Sequence, residues 1–292
     1  MTVVVNVNGV LTDEGGASVS VFDHGFLYGE GVYETLRTYN GQPFLLDRHL
    51  ARLRASAASI ALPVPLDDLA FETSIRDTMA AVDAPGERYI RILLTRGVGE
   101  LSYDPNACPT PTVVIIARPH AETPPDLAAR GATVVLSSVL RNHPGAVSPR
   151  IKSNNLLNNA LAMQEALRAG ADEALMCSYK GELAECAQSN IFLVRNGEAL
   201  TPPLATGLLE GVTRNFVFEV GAEVGIPVRE QTLRVIDLDT ADEMFLTGTT
   251  REVLAVTRLA DRAVGTGIPG PITCELAAAF SRMARDLTMK SV

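Results

Sequence analysis

Lysine is almost missing from this chain. Its 292 residues include 25 basic ones, and only Lys152, Lys180 and Lys290 among them are not arginine. Arginine serves solvated faces as well as lysine does, but it does not give up its proton and so does not form imines under ordinary conditions. Covalent amine chemistry therefore has few candidates. Lys180 falls at a predicted hairpin tip and Lys290 in the tail, where lysine is usually solvated; Lys152 falls between a loop and a helix expected to be buried.

Cysteine is also scarce. Cys108, Cys177, Cys186 and Cys274 form no CxxC or Cys/His cluster, which argues against a metal and for free thiols in a cytoplasmic chain. Long apolar runs are absent; the longest, such as 112–117, are strand-sized rather than membrane-sized. The opening MTVVVNVNGV lacks the basic region of a secretion signal and reads as a first strand. A net charge of −9 argues against nucleic acid or an anionic membrane as main partner. With 47% hydrophobic and 20% charged residues, what remains is a soluble globular protein long enough for two domains.

The pattern of elements is mixed α/β. VVVNVNG, SVSVFDHG, GVYETLRTYNG and PFLL read as strands and turns, followed by a helix with Leu50, Leu53 and Ala57 on one face and another over 66–81. RYIRILLTRG and PTVVIIARP read as strands. HAETPPD (120–126) is rich in breakers and is the best linker, giving a small domain 1–118, a linker 119–128 and a larger domain 129–292. In the second part GATVVLSSV reads as a strand. NNLLNNALAMQEALRAG reads as a helix with Leu157, Leu161 and Leu167 along one face, interrupted by Gln164. DEALMCS with ELAE, and NIFLV with EALTP, read as hairpins, a helix starts after Gly211, and ADEMFLTGTT runs from strand to turn. The stretch 265–270 literally matches GxGxxG, but it carries a proline and lacks a following βα unit, so it reads as a loop.

Several polar groups stand out. Gly211-Val212-Thr213-Arg214 opens a helix, where free N–H groups favour an anion. Thr249 and Thr250 in a turn add donors, Arg52 adds charge, and Glu185 is a carboxylate at a strand end. Each has an ordinary alternative: helix cap, turn chemistry, solvated face, arginine partner. The residues alone leave these alternatives open.

The stretch FDHGFLYGEGVYETLRTYNGQPFLLDRHLARLRAS (22–56) resembles the opening of the fold-type IV enzymes that use pyridoxal 5'-phosphate (PLP). The similarity continues in order through RYIRILLTRG, IKSNNLLNNALAMQEA, ELAECAQSNIFLV, LLEGVTR and DEMFLTGTTREV. The resemblance implies a two-domain α/β fold, small N-terminal and larger C-terminal, with the cofactor between them. It implies that Lys152 forms the imine and shuttles the substrate proton, and that Glu185 partners the pyridine nitrogen. Arg52, Val212, Thr213 and Thr249 hold the phosphate in this reading, and Leu209 lies under the ring. The active site of such enzymes lies at a dimer interface, so at least a homodimer is implied.

The resemblance also bears on the substrate. Tyr89 and Arg91 match a pair that seats the substrate carboxylate in branched-chain aminotransferases, and strand alternation puts both on one face. Gly248 and Thr250 match the turn that completes that seat; Tyr33, Thr35 and Arg37 share a strand face and line the pocket; Tyr28 reaches toward a neighbouring subunit. The Arg-x-His of D-amino-acid enzymes is absent from GVGELSYDP. Two departures count the other way: Leu156 and Leu157 stand where a tyrosine touches the cofactor hydroxyl in many branched-chain enzymes, and Thr35 matches a threonine of aminodeoxychorismate lyases. The expectation is an aminotransferase acting between a branched-chain-like L-amino acid and a 2-oxo acid such as 2-oxoglutarate. The runner-up is aminodeoxychorismate lyase; a D-amino-acid or (R)-amine transaminase and a non-enzymatic PLP-binding protein are further alternatives.

Overall fold

Three Asn-Gly pairs punctuate the strands, and each sits where a two-residue hairpin needs positive φ at both positions. They are Asn8-Gly9 (φ 50°, 90°), Asn40-Gly41 (51°, 72°) and Asn196-Gly197 (52°, 80°). The computed structural model describes residues 1–289, so Lys290 lies outside the described residues. It divides into two compact units, one of 1–121 with 151–155 and 288–289, the other of 122–150 with 156–287.

The first unit holds β1 (Val4–Val7), β2 (Val10–Asp13), the short α1 (His24–Leu27), β3 (Gly31–Tyr39), β4 (Gln42–Pro43), α2 (Leu46–Ser59), α3 (Asp68–Ala80), β5 (Arg88–Thr95) and β6 (Thr112–Pro119). Its sheet runs β2-β1-β6-β5-β3-β4. Alternation along β3 and β5 sends Val32, Leu36, Ile90, Ile92 and Leu94 to the face covered by α2 and α3, where Leu50, Leu53, Ala57, Phe71 and Ile75 complete a core. Leu53 is fully buried, which stabilises by about 2 kcal/mol for a side chain of this type.

The second unit holds α4 (Pro125–Arg130), β7 (Ala132–Leu136), α5 (Leu157–Arg168), β8 (Glu173–Cys177), β9 (Leu183–Cys186), β10 (Asn190–Arg195), β11 (Glu198–Thr201), α6 (Val212–Val224), β12 (Val228–Glu230), β13 (Glu243–Gly248), β14 (Glu252–Leu259), β15 (Arg262–Ala263) and α7 (Pro271–Met289). Its sheet runs β12-β11-β10-β13-β14-β7-β8-β9, with β15 on β14. β7 is parallel to β14 and β8, and β11 to β12; the other pairs are antiparallel. The stretch 265–270 is a loop, and the first amides of α7 donate to the buried Glu243 carboxylate (Ile272 N to Oε1 3.0 Å, Thr273 N to Oε2 2.8 Å). That helix start is already capped by protein.

Three expectations need correction. SVSVFDHG is not a strand: Asp23 accepts from Gly25 N at 2.8 Å and caps α1 instead. PFLL is a strand only at its start, because Leu45 turns to φ 50° and leads straight into α2. In α5 the leucine face does not meet the core. Leu157, Leu161 and Leu167 are exposed, while Ala162 and Ala166 pack on Ala171, Ala174 and Met176. Small side chains let this helix approach β8 closely, so the contact face is the alanine one.

Candidate active site

In the first unit, the residues around Lys152 behave as an added strand. Tyr33 N donates to Lys152 O at 2.9 Å, Asn154 N donates to Gly31 O at 2.9 Å, and Val32 and Ser153 form a bridge. Lys152 N donates in turn to Ser56 Oγ of α2 at 3.1 Å. The lysine backbone is therefore held from both sides, and its Nζ stands 4.5 Å from the centre of the Tyr33 ring. Gly31 is what permits this approach: a Cβ there would fall 2.4 Å from Asn154 Nδ2 and 2.9 Å from Leu94 O.

The face of β3 and β5 turned away from α2 carries the expected substrate residues. Thr35 lies opposite Arg91 and Arg37 opposite Tyr89 in the antiparallel register. The Arg91 guanidinium lies 4.2 Å from the Tyr33 ring centre, so that ring meets two cations, one from Arg91 and one from Lys152. Burial pushes the Tyr33 phenol up, against the pull of Arg91, and it stays a neutral hydroxyl at neutral pH. Arg37 is buried and stacks on Tyr39 at 4.3 Å, and Tyr89 carries Arg118 at 4.7 Å. Tyr28 stands apart from this group, edge-on to His24 (4.9 Å) and beside Tyr103 (5.2 Å).

Arg52 projects from α2 onto Glu34, on the core face of β3. Its Nε and Nη2 each reach a Glu34 oxygen at 2.7 Å, and His49 Nδ1 meets the same carboxylate at 2.7 Å. Burial pushes the Glu34 carboxyl up, but Arg52 and His49 outweigh it and hold it at about 2. Burial lowers His49 below its usual value, so its ring is neutral at neutral pH and acts as an Nδ1–H donor.

In the second unit the candidates converge on one end of the sheet. Glu185 is buried; Leu209 N donates to its Oε2 at 3.0 Å, and Asn190 Nδ2 lies 3.4 Å from the same oxygen and 3.0 Å from Leu209 O. Gly211, the residue before α6, packs so tightly on Asn190 that a Cβ would fall 2.1 Å from Asn190 Oδ1. Among the described residues no side chain caps α6, so the amides of its first turn, beginning at the buried Val212 and Thr213, have no protein acceptor. Asn190 pairs with Thr247, which brings β10 beside the turn holding Gly248, Thr249 and Thr250. Among the described residues neither threonine hydroxyl has a hydrogen-bond partner. Lys180 is exposed at its hairpin tip.

A family model, amino-transferase class IV, matches residues 31–259. The chain belongs to the class IV aminotransferase family. It is similar to a putative branched-chain-amino-acid aminotransferase of Methanocaldococcus jannaschii, 41% identical with 94% of each chain covered. It is also similar to a D-alanine aminotransferase of Bacillus licheniformis, 30% identical over 98% of each. Among solved structures it superposes on the branched-chain aminotransferase from Thermoproteus uzoniensis, determined with norvaline, with TM-score 0.90 and 32% identity over 97% of this chain and 95% of that one. The mixed α/β fold of this class IV aminotransferase is thus the fold-type IV architecture, and its cofactor is PLP. These relatives are aminotransferases, which sets aside the lyase and the non-enzymatic alternative.

The second-unit residues fit that cofactor. A ring nitrogen needs a buried acceptor, and a phosphate needs uncapped amides. Glu185 and the start of α6 meet those needs. Sequence reasoning missed the group that pairs with Glu185. Arg141 Nε donates to Glu185 Oε1 at 2.6 Å, and Arg141 Nη1 to Asn158 Oδ1 at 3.0 Å. Glu34, His49 and Asn190 were missed as well. Glu34 and His49 had a signal, a carboxylate on the apolar phase of β3 facing a His and an Arg spaced i,i+3 on α2. Arg141 had none, lying in a loop whose path the sequence does not specify.

Proposed function

We propose that this aminotransferase acts between a branched-chain L-amino acid and a 2-oxo acid such as 2-oxoglutarate, with Lys152 as its catalytic lysine. The observation that carries the proposal is the setting of Lys152: backbone pinned to Tyr33 and Ser56, amine over the Tyr33 ring, on the strand that pairs Thr35 with Arg91. The branched-chain preference is supported by the 41% identity to the branched-chain relative against 30% to the D-alanine one.

When bound, PLP supplies an electron sink for the substrate's Cα. Lys152 Nζ takes the proton from that Cα. Glu185, paired with Arg141, would accept from the ring nitrogen. The amides of Val212 and Thr213, the Thr249 hydroxyl and the charge of Arg52 would hold the phosphate, and Leu209 would contact the ring. Arg91, Tyr89, Gly248 and Thr250 seat the substrate carboxylate; Tyr33, Thr35 and Arg37 line the side-chain pocket. Tyr28 extends to the site of a second copy, a homodimer supported by the exposed Phe22 and Phe26 around it. Among the described residues no helix is long and apolar enough to cross a membrane; the free cysteines support a cytoplasmic location.

The test is a half-reaction screen. L-leucine, L-valine or L-isoleucine alone should bleach the yellow holoenzyme, and 2-oxoglutarate should restore it. Bleaching by D-alanine but by no L-amino acid overturns the proposal.

A further inference from the structure

A carboxylate outside the roles assigned above lies at the heart of the second unit. Glu173, the first residue of β8, has no exposed surface, and a charge so placed needs partners. It has them on separate segments. Arg251 Nη1 donates to Oε2 at 3.0 Å, Ser189 Oγ lies 3.3 Å from the same oxygen, and Ala174 N lies 3.1 Å from Oε1. Ser189 stands in the connection between β9, which carries Glu185, and β10. Arg251 closes the turn that carries Thr249 and Thr250.

That turn is unusual in two respects. An arginine at a hairpin turn ordinarily extends into water, yet Arg251 is mostly covered, its guanidinium drawn back onto a carboxylate with no exposure. The next residue, Glu252, has φ 55°, a left-handed conformation for which glycine is the usual choice. A non-glycine residue held there is strained, and such conformations persist where surrounding contacts over-determine them. Gly248 lies beside the same connection, where a Cβ would sit at ordinary contact distance, 3.7 Å from both Gln188 O and Ser189 Oγ. The turn and the 188–189 connection are thus packed together over one buried carboxyl group.

A buried ion pair is weak as a source of stability, because desolvation offsets most of the attraction; its better-attested use is to specify geometry. We propose that Glu173 and Arg251 are positioning residues that lock the 248–252 turn, and so the donors of Thr249 and Thr250, into register with the segment that follows Glu185. The inference rests on the reading that this turn binds the cofactor phosphate and substrate carboxylate. Neither residue touches cofactor or substrate. Their effect is carried by the turn, so it falls on binding rather than on the chemical step.

The holoenzyme tests this with five variants: T249A, R251M, R251K, E173Q and the double variant R251M/E173Q. R251M is expected to raise the KM for the amino acid and the Kd for PLP about tenfold, with kcat changed less than threefold. R251K is expected to recover part of that loss. The double variant is expected to be no worse than R251M, since both changes break one lock. T249A tests the underlying reading separately. If T249A leaves PLP affinity unchanged, the turn is not the phosphate site and that reading fails. If T249A weakens PLP but R251M and E173Q do not, the turn binds without the lock and the positioning proposal is wrong. Should R251M fail to fold, E173Q, which keeps shape and removes only the charge, decides between the same outcomes.

Discussion

Arg141 Nε sits 2.6 Å from Glu185 Oε1, with both side chains nearly sealed from solvent. Breaking a buried pair by removing one partner strands a charge, and that costs about 3–5 kcal/mol. R141Q should therefore shift the urea midpoint of the apoprotein markedly. R141Q/E185Q should be much less destabilised than the sum of its singles, with a coupling of at least about 1 kcal/mol. Additivity of the two single effects would mean that the pair does not act as a unit.

Glu34 should make the protein acid-labile. Its carboxyl is held at about 2, below the ordinary 4.5, despite burial and because of Arg52 and His49. A depressed carboxylate contributes stability that is complete above its unfolded pKa and is lost as pH falls from there to its folded one. Here that window runs from 4.5 down to about 2, and the contribution is on the order of 3 kcal/mol. His49, lowered by burial, has the same sign and begins to act as pH falls below its ordinary value of 6.5. E34Q should be less stable at neutral pH but show a flatter fall in denaturation midpoint through that window. An unchanged slope would remove Glu34 from the account.

Lys152 and Lys180 should separate cleanly. K152A should fold with an unchanged far-UV spectrum and give no yellow holoenzyme. Borohydride treatment of the wild-type holoenzyme should place the cofactor's mass on the peptide containing Lys152. K180A should retain colour and turnover within about twofold, because an exposed surface change away from special features is nearly neutral. A labelled Lys180 peptide would refute the assignment.

Gly31 should be intolerant of even one methyl group. A Cβ meets Asn154 Nδ2 at 2.4 Å and Leu94 O at 2.9 Å, and overpacking of this kind costs about 1–3 kcal/mol. The strand β5 cannot retreat from its ladder, so the 152–154 segment yields. G31A should lower kcat more than tenfold, while G41A, which meets open space but needs φ 72°, should cost stability alone. Kinetics and thermal melting on the two variants give the contrast.

Much of this was legible from residue order. Alternation along VYETLR and RYIRILL placed Tyr33, Thr35, Arg37, Tyr89 and Arg91 on one face, because period-two geometry leaves no other choice. The start of α6 was legible from Gly211 and the change of period after it. What the sequence did not display was which polar groups meet across distant segments. Arg141 and Glu185 are 44 positions apart and Glu173 and Arg251 are 78 apart, and no local pattern encodes such a meeting. The exposed leucines of α5 misled for a related reason. Hydrophobicity alone favours Leu157 and Leu161 over Ala162 and Ala166, whereas close approach to β8 favours the smaller pair.

The five residues 151–155 lie between stretches of the second unit yet fold with the first. A chain cut at the 121–122 boundary would not yield two self-sufficient pieces. The leading fragment would lack the partners of Gly31 O, Tyr33 N and Ser56 Oγ, and the trailing fragment would carry the reactive amine on an unsupported loop. During synthesis the first sheet can form early, but its lysine arrives only after some thirty further residues have been made. Readiness for chemistry thus comes later than the fold around it, and a nascent chain holds no aligned amine until that late strand has annealed.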